Sequence, residues 1–239
     1  MAPYDILLKL AVCGEPCVGK SRFAAILTDD VFENEYMKDV KHPYSPTVGL
    51  DMLSLITQTS SNRFAKVHIL DTSGDDRYRQ IISSYFSCVC TAIIITDSRR
   101  SDLITSTLEW IDCIRKKWHS QPSPNNIPIY VINNGFDSDD KIKADQARGE
   151  LRALCKREKI GFYDTCLDDR SSVWRVFSSI IKRIDKAYLA SGVKVPGINY
   201  QRKVHFMPTS PLLGNDDYDE GTGDGIGGAG VIQKCCSIL

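Results

Sequence analysis

The run Gly14-Glu15-Pro16-Cys17-Val18-Gly19-Lys20-Ser21 constrains this chain more than any other feature. It fits G-x-x-x-x-G-K-S and follows an apolar stretch, residues 6–13, that reads as a buried strand. A strand that turns through two glycines and then opens a helix leaves a row of backbone N–H groups without partners inside the helix. Those donors and the positive end of the helix dipole form a cradle for phosphate oxygens. Lys20 adds a point charge for β- and γ-phosphates, and the Ser21 hydroxyl can ligate Mg²⁺. Glu15, Pro16, Cys17, Val18, Gly19, Lys20, Ser21 and Arg22 are therefore predicted to wrap a nucleotide's phosphates. A phosphate loop alone leaves kinases, ATPases and GTPases open.

Apolar runs rich in β-branched residues alternate with longer amphipathic stretches, which is how βαβ units read in sequence. Strands are predicted over 51–57 and 64–70, joined by the polar turn Ser60-Ser61-Asn62, and over 92–96 and 129–132. Apolar residues recurring every three or four positions predict helices over 103–118, 143–159 and 173–189. The predicted fold class is α/β: a six-stranded, mostly parallel sheet with one antiparallel edge strand, helices on both faces and nucleotide at the carboxyl ends of the strands.

Downstream, Asp71-Thr72-Ser73-Gly74 resembles the D-x-x-G element of Ras-superfamily GTPases. Ser45-Pro46-Thr47-Val48-Gly49 resembles their first switch loop, Asn134-Gly135-Phe136-Asp137 their N-K-x-D element, and Tyr163-Asp164-Thr165-Cys166-Leu167-Asp168 their E-T-S-A-K loop. Arg77-Tyr78-Arg79, Ser84-Tyr85-Phe86 and Leu108-Glu109-Trp110 are similar to the Rab branch. The resemblance spans about residues 5–188 plus the C-terminus. It implies a P-loop G domain that binds GTP or GDP with Mg²⁺. Ser21, Thr47 and Asp71 would serve the metal; Lys20, Thr47, Gly74 and Asp75 would occupy the catalytic positions. Phe32 would stack on guanine. Asp137 would accept from the guanine N1 and N2 edge, a bidentate pair that adenine cannot reproduce, with Asn134 and the backbone of Cys166 and Leu167 completing the base site.

Several positions depart from the family pattern. Asp75 stands where the family's glutamine orients the attacking water; it is shorter, accepts only when ionised, and is negative beside a polyanion. Pro16 removes an N–H and fixes φ where a small residue faces the γ-phosphate, which implies crowding of an inserted arginine finger. Gly135 and Asp168 replace two lysines at the base, and Leu70 and Met52 replace aromatics of the effector face. His42, His68, His119 and His205 are isolated, and Asp216, Asp217, Asp219 and Glu220 read as a solvated acidic run. Cys17 reads as a small residue filling a tight loop.

From Gly192 onward Pro196, Pro208, Pro211 and a glycine run over 221–230 leave too little apolar matter to offset ordering entropy. Residues 1–191 are thus expected to form the G domain and 192–239 a flexible tail, whose 192–234 stretch would span roughly 33–40 Å as a coil. The tail ends in Cys236-Ser237-Ile238-Leu239, a C-a-a-X box preceded by Cys235, which predicts one or two prenyl groups on Cys235 and Cys236. Equal counts of 30 basic and 30 acidic residues argue against nucleic acid as a partner and make membrane attachment a local matter of the lipid. Nine scattered cysteines fit a reducing cytosol, and no signal peptide or membrane span is predicted.

The functional expectation is a monomeric Rab-like switch of vesicle traffic. It would hydrolyse GTP slowly on the cytoplasmic face of an endomembrane or vesicle, with an extractable cytosolic pool. The resemblance implies effectors, an exchange factor, a GTPase-activating protein, and prenyl-transfer and extraction proteins as partners. The alternative is a membrane-tethered interaction module with weak or non-cycling nucleotide binding, for which Asp75, Pro16, Gly135 and Asp168 speak. A P-loop small-molecule kinase would have no use for a prenylation box.

Overall fold

The computed structural model describes residues 4–28, 46–59, 62–118, 127–134, 141–189 and 197–200. The chain divides into two units, Met1–Lys203 and Val204–Leu239, and every described residue lies in the first.

Among the described residues seven strands form one sheet: β1 (Ile6–Cys13), β2 (Leu50–Gln58), β3 (Phe64–Thr72), β4 (Thr91–Asp97), β5 (Ile129–Asn134), β6 (Gly161–Thr165) and β7 (Ile198–Tyr200). Six of them run in the order β2-β3-β1-β4-β5-β6, with β7 paired to β1. β2 is the antiparallel edge, and the contacts among β3, β1, β4, β5 and β6 are parallel. Each residue of β4 is buried, as expected of a strand covered on both faces. β2 instead alternates: Leu53 and Leu55 pack toward the core while Met52 and Ile56 stay exposed.

Five α-helices are described: α1 (Lys20–Thr28), α2 (Asp76–Tyr85), α3 (Leu103–Trp118), α4 (Lys141–Arg157) and α5 (Arg170–Ile184). Residues 103–118 match the predicted helix, α4 begins and ends two residues earlier than predicted, and α5 gives way to a π-helical turn at Asp185–Leu189. In α5, Val173, Val176, Phe177, Ile180, Ile181 and Ile184 recur at helical spacing and are all buried, and Asp169 caps its first turn by accepting from the Ser171 N–H at 2.9 Å. α1 packs against α5, and α3 against both α2 and α4, so helices cover both faces of the sheet.

β7 corrects the expectation that order ends at residue 191 and that the sheet stops at six strands. Pairing of β1 with β4 begins only at Leu10↔Thr91, leaving Ile6–Leu8 open on that side. β7 fills the gap antiparallel, with Leu8↔Ile198, Leu7↔Asn199 and Ile6↔Tyr200 in register. The Lys9 N–H donates to the Gly197 carbonyl at 2.8 Å. Gly197 has φ +75°, and a Cβ there would lie 2.5 Å from the Cys90 nitrogen, so only glycine brings the chain in at this point. The chain in β7 therefore runs toward the amino end of β1, away from the phosphate loop.

Candidate nucleotide site

β1 ends at Cys13 and α1 starts at Lys20, so residues 14–19 form the predicted loop at the carboxyl edge of the sheet. Lys20 is almost fully buried and donates from Nζ to the Glu15 carbonyl at 2.7 Å, which holds the ammonium across the loop. Burial pulls its pKa below the ordinary lysine value, against the opposing pull of the Asp71 carboxylate. Cys17 does not fill the loop as expected: it sits at φ +63° with its side chain exposed. Pro16, Cys17, Gly19, Lys20, Ser21, Arg22, Pro46, Thr47, Ser73, Gly74 and Asp75 line a cavity of about 320 Å³. Gly74 closes on it tightly, since a Cβ there would lie 2.4 Å from the Pro16 nitrogen and 2.7 Å from Lys20 Nζ. Glu15 and Val18 lie outside the lining of this cavity.

Ser21, Thr47 and Asp71 converge at one corner. Ser21 Oγ and Thr47 Oγ1 are 3.0 Å apart, and Thr47 Oγ1 donates to Asp71 Oδ2 at 3.4 Å. Asp71 Oδ1 is buried and has no hydrogen-bond partner among the described residues. Burial raises the Asp71 pKa, while hydrogen bonding from Ser21 works the other way. Two hydroxyls and a carboxylate with an unsatisfied buried oxygen suit a hard divalent cation such as Mg²⁺. The described residues contain no cluster of three or more His, Cys, Asp or Glu side chains able to hold a metal.

Asp75 caps α2, accepting from the Arg77 N–H at 2.9 Å. Its carboxylate is also gripped by the Arg77 side chain, with Nε 3.1 Å and 2.9 Å from the two oxygens and Nη2 2.6 Å from Oδ2. Hydrogen bonding from the Arg77 guanidinium and backbone holds this carboxyl below the usual range. The negative charge predicted beside the phosphates is thus turned onto a cation of its own helix.

At the base end, Asn134 donates from Nδ2 to the Val18 carbonyl at 3.1 Å, tying the end of β5 to the phosphate loop. Leu167 is buried against Gly19, where a Cβ would lie 2.4 Å from its Cδ1. Cys166 is half-buried beside it. Asp168 forms an ion pair with Arg22. Phe32, Gly135, Asp137, Cys235, Cys236, His42, His119, His205 and the acidic run over 216–220 lie outside the described residues. On the predicted effector face Met52 is 56% exposed, whereas Leu70 is only 5% exposed and belongs to the core, so of these two Met52 alone presents its side chain.

The sequence reading missed a group beside the loop: Arg79 and Trp110 both bond the Glu15 side chain, at 3.0 Å and 2.9 Å. Only the R-x-R and E-W dipeptide patterns hinted at them, because their meeting depends on how α2 lies on α3.

A phosphate loop on the first strand of a mostly parallel sheet, a Ser-Thr-Asp metal corner and a glycine closing on the phosphate cavity define a P-loop domain of the GTPase kind. The chain belongs to the Ras family, whose model matches residues 9–186. It is similar to Ras-related protein RABA1a of Arabidopsis thaliana, 28% identical over 183 residues that make up 77% of each chain. It is also similar to Ras-related protein YPTC6 of Chlamydomonas reinhardtii, 28% identical over 76% of each chain. Ras-related protein Rab-11A of Dictyostelium discoideum is 27% identical over 76% of this chain and 77% of its own. The protein is a divergent, Rab-like small GTPase. No helix among the described residues is long and apolar enough to cross a membrane.

Proposed function

We propose that the protein is a GTP/GDP-cycling switch of intracellular vesicle traffic that hydrolyses GTP slowly and needs Mg²⁺. The observation that carries this reading is the convergence of Ser21, Thr47 and Asp71 beside Lys20 and Gly74, because it joins the metal corner to both loops that would sense a γ-phosphate. Ser21 and Thr47 would hold the metal directly and Asp71 from the next shell. When bound, Mg²⁺ would neutralise charge on the β- and γ-phosphates. Lys20 is fixed by the Glu15 carbonyl with its charge in the cavity, where burial strengthens its attraction for phosphate. The Gly74 backbone, packed on the loop, would report the γ-phosphate to α2. Asp75 supplies no amide to orient water, and its carboxylate is engaged by Arg77, so hydrolysis would wait for an activating partner.

Under this reading Cys235 and Cys236 carry prenyl groups, and two chains hold the protein on the cytoplasmic face of an endomembrane or vesicle where one would be marginal. Effectors, an exchange factor, a GTPase-activating protein, and prenyl-transfer and extraction proteins would be its partners. The test is the nucleotide content of the purified protein, followed by single-turnover hydrolysis of loaded GTP. Co-purifying guanine nucleotide, and hydrolysis below about 3 × 10⁻⁴ s⁻¹, the scale of an unassisted site of this kind, is the expected result. A protein that arrives empty and cannot be loaded would overturn the reading.

A further inference from the structure

The helices α3 and α4 run back from the carboxyl ends of β4 and β5 to the starts of β5 and β6, and α5 returns to the same amino edge, opposite the nucleotide site. Each ends on basic residues in its last turn. The three ends meet around β5 and β6. Arg115 of α3 donates to Glu158, just past α4, at 2.7 Å, and the Arg183 guanidinium of α5 lies 6.0 Å from the centroid of the Tyr163 ring in β6. Residues 112–118, 155–160 and 181–187 together hold nine Lys and Arg against three acids, a net charge of +6 in a chain with 30 of each sign. Apart from the half-buried Arg115, all of these cations are exposed. Of the acids, Glu158 is engaged by Arg115 and Arg157, and Asp185 is only 3% exposed, which leaves Asp112 as the exposed one in these segments. Cations suit helix C-termini, but three such ends supply only about −0.5 each, which offsets roughly a quarter of the excess.

We infer that this basic edge is a docking surface for an anionic lipid bilayer. The cations stand on long, flexible stems at the ends of three helices, and no large apolar side chain is exposed in these segments. A protein interface is built around apolar or aromatic anchors, whereas a plane of anionic headgroups needs only charge spread over a surface. The chain also arrives at this edge, because β7 runs to the amino end of β1 with Tyr200 opposite Ile6. A protein docked in this way holds its nucleotide site on the side away from the membrane, open to partners. One prenyl group together with such a surface is enough for stable attachment. That orientation rests on the membrane attachment proposed above, whereas the basic edge does not.

The test is co-sedimentation of the full chain, purified without lipid modification, with vesicles of phosphatidylcholine alone or with about 30% phosphatidylserine added. At about 0.1 M salt, partitioning is expected to be at least about 50-fold stronger on the anionic vesicles, and to fall at least about ten-fold at about 0.5 M salt. Two single variants of the same helix locate the surface. Lys156→Gln, at the basic end of α4, should weaken partitioning about five-fold, the worth of one lysine near such a membrane. Lys143→Gln makes the same charge change roughly 20 Å away, about two Debye lengths, and should weaken it less than about two-fold. Equal losses from the two variants, or no preference for anionic vesicles, overturn the inference. Equally tight binding of a single-stranded RNA at the same salt also overturns it, by assigning the edge to phosphates at large. The salt series on the wild-type chain decides the matter if a variant does not fold. The vesicle test needs neither nucleotide nor prenyl groups, so a protein that takes no nucleotide defeats the GTPase reading alone.

Discussion

The two ends of the nucleotide site are built differently. At the phosphate end, Lys20 and Asp71 are 6% and 3% exposed, and their partners Glu15 and Thr47 come from the loop after β1 and the loop before β2. At the base end, the most conspicuous contact is the Arg22–Asp168 pair, whose side chains are 41% and 74% exposed and which joins α1 to the loop after β6. Charges withdrawn from water interact strongly, while exposed pairs are screened and lose side-chain freedom. Among the described residues the phosphate end therefore offers the buried charges, and with them the stronger electrostatic hold on a nucleotide.

The sharpest way to break this contrast is Lys20→Ala, which removes a buried charge facing the phosphates. Nucleotide affinity is expected to fall by roughly 30- to 150-fold, or about 2–3 kcal/mol, in a titration with fluorescent GDP. An effect below five-fold would mean that the base end dominates after all. Next comes Asp71→Ala, expected to weaken Mg²⁺ dependence of GDP retention by about 10- to 100-fold, read from nucleotide release against free Mg²⁺. In the same assay, chelation of Mg²⁺ should speed release from the wild-type protein far more than from the variant.

Gly74→Ala tests close packing rather than charge. With a Cβ 2.4 Å from the Pro16 nitrogen the loop must shift, at a cost of about 1–3 kcal/mol to the form in which Gly74 meets the phosphate loop. Binding of a GTP analogue should weaken more than binding of GDP, and equal weakening would place the strain elsewhere. The smallest effect is expected from Asp168→Ala, which opens only an exposed pair: less than about 1 kcal/mol, or under five-fold in GDP release, shrinking further in high salt. A large, salt-insensitive effect would show that Arg22 and Asp168 close over the bound base.

The contrast also explains how legible each part was. The phosphate loop is contiguous, so strand, glycines, lysine and serine declare themselves within residues 6–21, and the sheet follows from apolar runs long enough to show a period. Thr47, Asp71 and Gly74 needed the family pattern to be noticed; the structure brings Thr47 and Gly74 to one cavity and Asp71 to within 3.4 Å of the Thr47 hydroxyl. Asp75 was legible as a departure, but not its role as helix cap and partner of Arg77, because cap geometry depends on where α2 begins. β7 escaped notice because three residues behind Pro196 and Gly197 show no periodicity; they form a strand only because β1 extends past β4 and leaves backbone groups to be satisfied.

By itself the sequence determined the α/β class, the phosphate cradle and the order of the motifs around it, since these depend on local spacing and on the alternation of apolar runs. Tertiary structure alone decided that Asp71 keeps one buried oxygen free beside two hydroxyls, that Arg79 spans Glu15 and Trp110, and that residues 198–200 join the sheet. Each of these joins groups separated by at least 24 positions along the chain, and their distances are set by how helices and strands pack, which no local pattern encodes.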